Sequence, residues 1–473
     1  MKNKNAENKK IKKRYIFFAA AIVVVAVLLI FALYFYLDSD RGEGAQLIRS
    51  ETVYAIIILL AVLPVLIGAL AIGLFVRSKK SARCEVVSDI VIEADTPSAT
   101  VSPAAEEEQP EEGTVSRFDG LTRIDEEKEL YARDDYDDEI TLKRLCENFR
   151  NFSANKLKLY YDISDIRRFI AGMAVSHILI LQGMSGTGKT SLAYAYGEYL
   201  DNTSTVIPVQ PMWKERTDLI GYYNEFTKRF NETDLLKKMY EANYSKDIYI
   251  TVLDEMNIAR VEYYFAEFLS LLELPDADKR NLSVVSDEWA NDPKQLKNGH
   301  ITLPKNMWFI GTANNDDSTF AISDKVYDRA MIMDLDKKAE PFAAPTVKKL
   351  HLTAERFEEL AKEAVKEYKV TTRNAKRLEK LDEYMIENFH ITFGNRIMKQ
   401  INTYIPVYVS CGGDELEALD DILAKKVMRK LSMQNPVYIR NSAERFCQYM
   451  DELFGEENMQ LCKAFVRRLE KNA

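Results

Sequence analysis

Two long apolar runs dominate the start of the chain. Tyr15–Leu37 is an uninterrupted stretch of 23 residues without a charge, and Val53–Val76 is a second of 24. At ~1.5 Å of rise per residue, each is long enough as a helix to cross a ~30 Å hydrocarbon core. Pro64 and Gly68 fall inside the second run, where lipid-embedded helices tolerate them. The length of the first run, the lack of a small-x-small cleavage site and the closely following second span argue against a cleaved signal peptide. From Glu93 to about Gly120 the pattern vanishes into Pro, Ala, Ser, Thr and Glu, with too few apolar residues to fold. A coil of ~40 residues spans on the order of 35 Å, enough to hold a domain just off a bilayer. Further on, short β-type runs alternate with helix-compatible stretches: Ile178–Leu181, Ile248–Leu253, Met307–Ala313 and Ala330–Leu335. After Leu335 the spacing turns to 3.6, predicting helices over Thr353–Tyr368, Arg373–Phe389, Phe393–Tyr404, Leu416–Leu431 and Ala443–Leu469. Four segments result: an anchor over 1–83, an acidic linker over 84–125, an α/β domain over 126–340, and a helical lid with extension over 341–473.

Charge adds an orientation. Residues 1–83 carry 13 Lys and Arg against 5 Asp and Glu, leaving 51 against 68 in the remaining 390. Seven cations precede the first span, and Arg77, Lys79, Lys80 and Arg83 follow the second. The intervening loop has only Arg41 and Arg49, offset by four acids. The excess of cations on both flanks places both chain ends in the cytoplasm of a two-pass inner-membrane protein. Neither span holds an ionisable residue, so the hairpin reads as an anchor in the bilayer rather than a transport path. The acidic remainder is a poor electrostatic match for DNA or RNA, and direct nucleic-acid binding is not expected. Five scattered cysteines without a C-x-x-C pair suggest neither disulfides nor zinc, and four unclustered histidines imply no His-based metal or triad chemistry.

Candidate chemistry gathers at the ends of the β-type runs. GMSGTGKT, Gly183 to Thr190, lies between the first run and a helix-compatible stretch, Ser191–Leu200. This strand, Gly-rich loop and helix order lets backbone N–H groups of Gly183, Ser185, Gly186, Thr187 and Gly188 converge on phosphate oxygens at a helix dipole. Lys189 is placed for the β/γ-phosphates and Thr190 for Mg²⁺. The second run ends in Asp254-Glu255. Asp254 there can hold the Mg²⁺ shell, and Glu255 can orient and deprotonate a water. The third ends in Asn314, an amide able to bond a γ-phosphate and the lytic water without adding charge. Arg329 precedes the last run, where an arginine suits action on a neighbouring subunit; a local pair with Asp328 is the plainer alternative.

These residues together carry a resemblance. GMSGTGKT, VLDEMNIARVEYYFAEFL, FIGTANNDDSTF and DKVYDRA resemble the helix-2-insert AAA+ ATPases, in their dynein-related, MoxR-like and McrB-like branch. The resemblance covers roughly Leu142–Leu335 and implies a P-loop AAA+ core, a parallel sheet flanked by helices, with an α-helical lid. It makes Gly183–Thr190 Walker A, Asp254-Glu255 Walker B, Asn314 sensor 1 and Arg329 the arginine finger. Arg396 is the matching candidate for a nucleotide-binding sensor-2 residue, with Asn395 capping its helix; an ordinary exposed helix arginine is the alternative. Asp218–Tyr223 resembles the insert that faces the central pore, where Trp213, Tyr222, Tyr223 and Phe226 either grip a substrate or pack as core. Asn281–Leu303 reads as a polar hairpin-like insertion.

The expectation is a membrane-tethered ATP hydrolase, with Mg²⁺ as cofactor and GTP left open by the Asn314…Asp317 pattern. It is expected to work as a homo-oligomeric ring, a hexamer, that remodels a protein client. The alternatives are a McrB-like defence motor with a separate nuclease partner and a nucleotide-gated membrane scaffold.

Overall fold

A computed structural model describes residues 116–137, 139–314 and 319–472. The expected spans, the linker up to residue 115 and residues 315–318 lie outside the described residues. No helix among the described residues is long and apolar enough to cross a membrane.

In chain order the strands are β1 (Ile178–Gly183), β2 (Thr205–Pro208), β3 (Gly221–Asn224), β4 (Arg229–Glu232), β5 (Tyr249–Asp254), β6 (Asn281–Ser283), β7 (His300–Thr302), β8 (Met307–Asn314) and β9 (Met331–Asp334). Five form one sheet, ordered β2-β5-β8-β1-β9, and every pairing in it is parallel. A parallel sheet is buried on both faces, which explains the unbroken apolar runs of β1, β5 and β8. Alternate residues go to opposite sides. Leu179, Leu181, Ile250, Val252, Trp308 and Ile310 face one core, while Ile178, Ile180, Leu253, Met307 and Phe309 face the other. β3 with β4, and β6 with β7, are separate two-stranded hairpins.

The longer helices are α1 (Asp119–Glu126), α2 (Leu142–Phe152), α3 (Ile163–Val175), α4 (Lys189–Tyr199), α5 (Asp234–Ala242), α6 (Ala354–Glu367), α7 (Thr372–Phe389), α8 (Gly394–Ser410), α9 (Glu415–Lys426), α10 (Pro436–Phe454) and α11 (Gln460–Asn472). Side-chain caps set several starts: Thr353 accepts from the Arg356 N–H, Thr371 from that of Asn374, and Asp414 from those of Leu416 and Glu417. The first core also contains apolar faces of α6 to α10, so the helical unit and the sheet share packing.

Four expectations need correction. Residues 116–125 belong to the folded unit rather than the acidic linker: Phe118 and Leu121 are fully buried and Phe118 stacks on Phe230. Local composition cannot register that packing, because its partners lie over a hundred positions away. The helix expected over 443–469 is two, α10 and α11, broken where Gly455 takes φ +97°. α8 continues through Pro406 to Ser410, held by the buried faces of Ile401, Tyr404, Val407 and Tyr408. Asn395 lies inside α8 and does not cap it; Phe393 holds the cap position with no side-chain bond. The insertion at 281–303 does contain a hairpin, β6 with β7.

Candidate active site

The sheet delivers three strand tips to one place. β1 and β8 are paired so that Gly183 stands beside Asn314, and β5 pairs with β8 on its other side, with Leu253 beside Gly311. The loop after β1 therefore opens next to Asp254 and Glu255. Gly183 holds φ +141°, and a Cβ there would sit 2.5 Å from the Leu335 carbonyl oxygen, so only glycine fits this exit. Gly186 and Gly188 also take positive φ, and α4 starts at Lys189 without a side-chain cap on its first turn. An uncapped helix N-terminus behind a glycine loop is a ready anion site.

Polar atoms converge on Asp254. Its Oδ1 accepts from the Thr190 hydroxyl at 2.7 Å and from the Thr312 hydroxyl at 2.8 Å. Thr312 in turn accepts from the Glu255 N–H at 2.9 Å. Glu255 itself sits at φ +52°, a left-handed conformation costing a non-glycine residue about 1–3 kcal/mol, and its side chain is exposed. Strain held in place by neighbouring contacts is a feature of functional sites. The buried Lys189 ammonium donates to the carbonyls of Gly183 at 3.1 Å and Met184 at 2.7 Å, so it lies under the loop. Thr187 donates to the Met184 carbonyl, Tyr161 to that of Gly188, and Ser185 is exposed.

Thr190 and Asp254 offer two hard oxygens at hydrogen-bond distance from each other. That donor set suits Mg²⁺, which takes few protein ligands and fills the rest of its shell with phosphates and water. No cluster of three or more His, Cys, Asp or Glu capable of holding a metal occurs among the described residues.

The arginines lie elsewhere. Ser176, ahead of β1, donates to the Arg329 carbonyl at 3.0 Å, so Arg329 stands at the amino end of the sheet. Gly183 is the last residue of β1, seven steps beyond Ser176 and about 23 Å away at ~3.3 Å each. Arg329 thus cannot reach its own glycine loop. Its Nε lies 2.8 Å from Glu273 Oε2, although too poorly aligned for a hydrogen bond, and Arg396 Nη2 lies 2.6 Å from Glu273 Oε1. The plainer alternative for Arg329, a pair with Asp328, is replaced by one with Glu273. Arg396, expected to bind nucleotide, shares that carboxylate with Arg329.

The four aromatics of the β3 region divide. Phe226 at the hairpin tip is 91% exposed and Tyr222 54%. Trp213 packs edge-on against Tyr264, and Tyr223 against Trp289 and the Arg117 guanidinium.

Residues 178–330 match the family model described as AAA domain (dynein-related subfamily). The core is thus similar to AAA domains of that subfamily. Residues 347–472 match a domain of unknown function, DUF8727. No curated protein matches the chain. Among solved structures, a Cytophaga hutchinsonii protein provisionally assigned as an ATPase is 14% identical, with a TM-score of 0.41, 64% of this chain covered and 90% of that one. A full-length MCM homolog from Methanopyrus kandleri is 12% identical, with a TM-score of 0.31 and coverage of 57% and 55%. Both likenesses are distant.

Sequence reasoning passed over Thr312, Asn257 and Glu273. Thr312 had a signal, a lone hydroxyl within the apolar run of β8. Asn257 is buried and donates to the carbonyls of Asn314 and Phe320, tying the Asp254 strand tip to the Asn314 one. Glu273 had none, being one acid among many.

Proposed function

We propose that the chain hydrolyses ATP with Mg²⁺ in a homo-oligomeric ring, taken as six copies, and uses the cycle to remodel a protein client. Residues 15–37 and 53–76 tether it to the inner membrane with both ends cytoplasmic. The observation that carries the catalytic reading is the Thr190–Asp254–Thr312–Glu255 hydrogen-bond chain beside an uncapped helix N-terminus.

In this reading the N–H groups of the loop and Lys189 bind the phosphates, Lys189 exchanging its two loop carbonyls for phosphate oxygens. Thr190 and Asp254 hold Mg²⁺, which when bound draws charge off the β/γ-phosphates. Thr312 fixes both Asp254 and the Glu255 backbone, so the Glu255 carboxylate is presented to a water in line with the γ-phosphate, whose proton it takes. Asn314, next in register to Gly183, orients that water. Arg329 cannot reach its own loop and so serves the adjacent copy, neutralising charge that develops on transfer. Exposed Phe226 and Tyr222 are the residues of the β3–β4 hairpin free to grip a client.

Glu255→Gln in the full chain tests the catalysis. Bound nucleotide should persist while turnover is nearly abolished; normal turnover would remove Glu255 from the role. Competition between ATP and GTP for turnover decides the base, and a clear GTP preference would favour the defence-motor alternative. Reporters after Ala473 and near Gly44 should lie on opposite sides of the membrane; both on the same side would sink the two-pass tether.

A further inference from the structure

β9 is four residues long, and its two ends belong to different sites. Its carboxyl end abuts the P-loop. Asp334 Oδ1 accepts from Gln182 Nε2 at 2.7 Å, and the Leu335 N–H donates to the Gln182 carbonyl at 2.8 Å. Gln182 directly precedes Gly183, whose own carbonyl accepts from Lys189. The amino end of β9 continues from Arg329 and Ala330. Gln182 Oε1 also accepts from the Tyr327 hydroxyl at 3.1 Å, so one side chain bridges Asp334 and the segment carrying Arg329.

The last turn of α9 grasps both ends. Lys425 forms an ion pair with Asp334. Its chain neighbour Lys426, only 4% exposed, donates from Nζ to the carbonyls of Tyr327 at 2.7 Å and Ala330 at 2.5 Å. Arg429 lies over the Tyr327 ring just beyond. α9 is part of the helical unit whose family match carries no function.

We propose that Lys425 and Lys426 are positioning residues, a two-point brace through which nucleotide in a subunit's own P-loop sets the placement of the Arg329 it offers to the next copy. The proposal rests on the reading of Arg329 as acting in trans. Phosphate arriving at Lys189 draws that side chain off the Gly183 carbonyl and shifts the loop's first residue. Gln182 moves with it, and Asp334 and Tyr327 follow. Because adjacent residues of one rigid helix hold both ends of β9, the strand shifts as a unit with α9 instead of flexing between them. The displacement therefore arrives at Arg329. Lys425 has a second effect. It neutralises a carboxylate one hydrogen bond from the P-loop strand, and an unpaired Asp334 would repel the phosphates.

Full-length wild type, Lys425→Met, Lys425→Met with Asp334→Asn, and Arg329→Ala would be compared for nucleotide affinity and for turnover against both nucleotide and protein concentration. Lys425→Met should weaken nucleotide binding about tenfold, through the orphaned Asp334. Adding Asp334→Asn should restore affinity, which also shows the protein folded, yet leave turnover with a Hill coefficient near about 1 where the wild-type ring is cooperative. Lys425→Arg should keep cooperativity. A wild-type ring without nucleotide cooperativity, or a double variant that retains it, overturns the brace. Wild-type turnover that is independent of protein concentration and untouched by Arg329→Ala overturns the ring reading instead.

Discussion

The carboxyl and amino ends of the central sheet hold their polar groups in different ways. At the carboxyl end Thr190, Asp254, Thr312 and the Glu255 N–H are joined by short hydrogen bonds between residues fixed on neighbouring strands or at the start of α4. At the amino end two long side chains, Arg329 and Arg396, reach one partly exposed carboxylate, Glu273, and Arg396 is 49% exposed. The first arrangement is preorganised: its geometry follows from strand register and costs nothing to assemble at the moment of reaction. The second is exchangeable. A carboxylate held only by flexible cations at a surface can give way to another anion, as a phosphate on an adjacent copy would require. On the proposed function, the first end would carry the chemistry and the second would meet the adjacent copy.

Arg329→Ala is the most severe way to break that contrast. Turnover should drop ~10³–10⁵-fold with nucleotide binding largely intact, and mixing with Lys189→Ala chains should return part of it. Full activity in the single variant, or no rescue in the mixture, would show that the amino end takes no part in the site. Thr312→Val probes the preorganised end. It strips the hydroxyl from Asp254 and leaves the Glu255 N–H without its acceptor, so turnover should fall about 10- to 100-fold with nucleotide affinity little changed. An equal loss of affinity would instead make Thr312 a binding residue. Arg396→Ala should cost less, roughly 2- to 10-fold, because an exposed pair contributes little. A loss matching that of Arg329→Ala would put both guanidiniums on the same phosphate.

The smallest effect concerns the packing at the amino end, where β1 and β8 begin. His177, packed at a tilt against the Trp308 ring and bonded to the Met307 carbonyl, is pushed down to about 4, by burial first and then by Arg280. Its folded value lies below its ordinary 6.5, so the unfolded chain binds the extra proton and stability is lost as pH falls from 6.5 towards 4. Asp165, pushed up to about 6 by burial, works in the opposite sense over part of that window and is common to both proteins. The melting temperature of His177→Phe should therefore fall less than wild type on acidification. Parallel acid limbs would show that His177 titrates normally.

Much of the carboxyl end was legible in the chain. GMSGTGKT and the acids after an apolar run are local signals, because glycine conformations and strand tips impose residue types on consecutive positions. Helices α6 and α7 were legible by their period. The break at Gly455 was missed because apolar spacing resumes after it, and the continuation through Pro406 because packing along the apolar face of α8 outweighs one lost hydrogen bond.

On its own the sequence determined the phosphate loop, the strands behind it and the helical character of the segment after Leu335, since each depends on neighbours a few residues apart. Only the tertiary structure decided that Thr312 completes the Asp254 cluster, that Glu273 gathers Arg329 with Arg396, and that Lys425 and Lys426 seize opposite ends of β9. Those pairings join residues 58, 56, 123, 91 and 96 positions apart. No periodicity or motif reaches across such distances; strand order and helix packing bring the partners together.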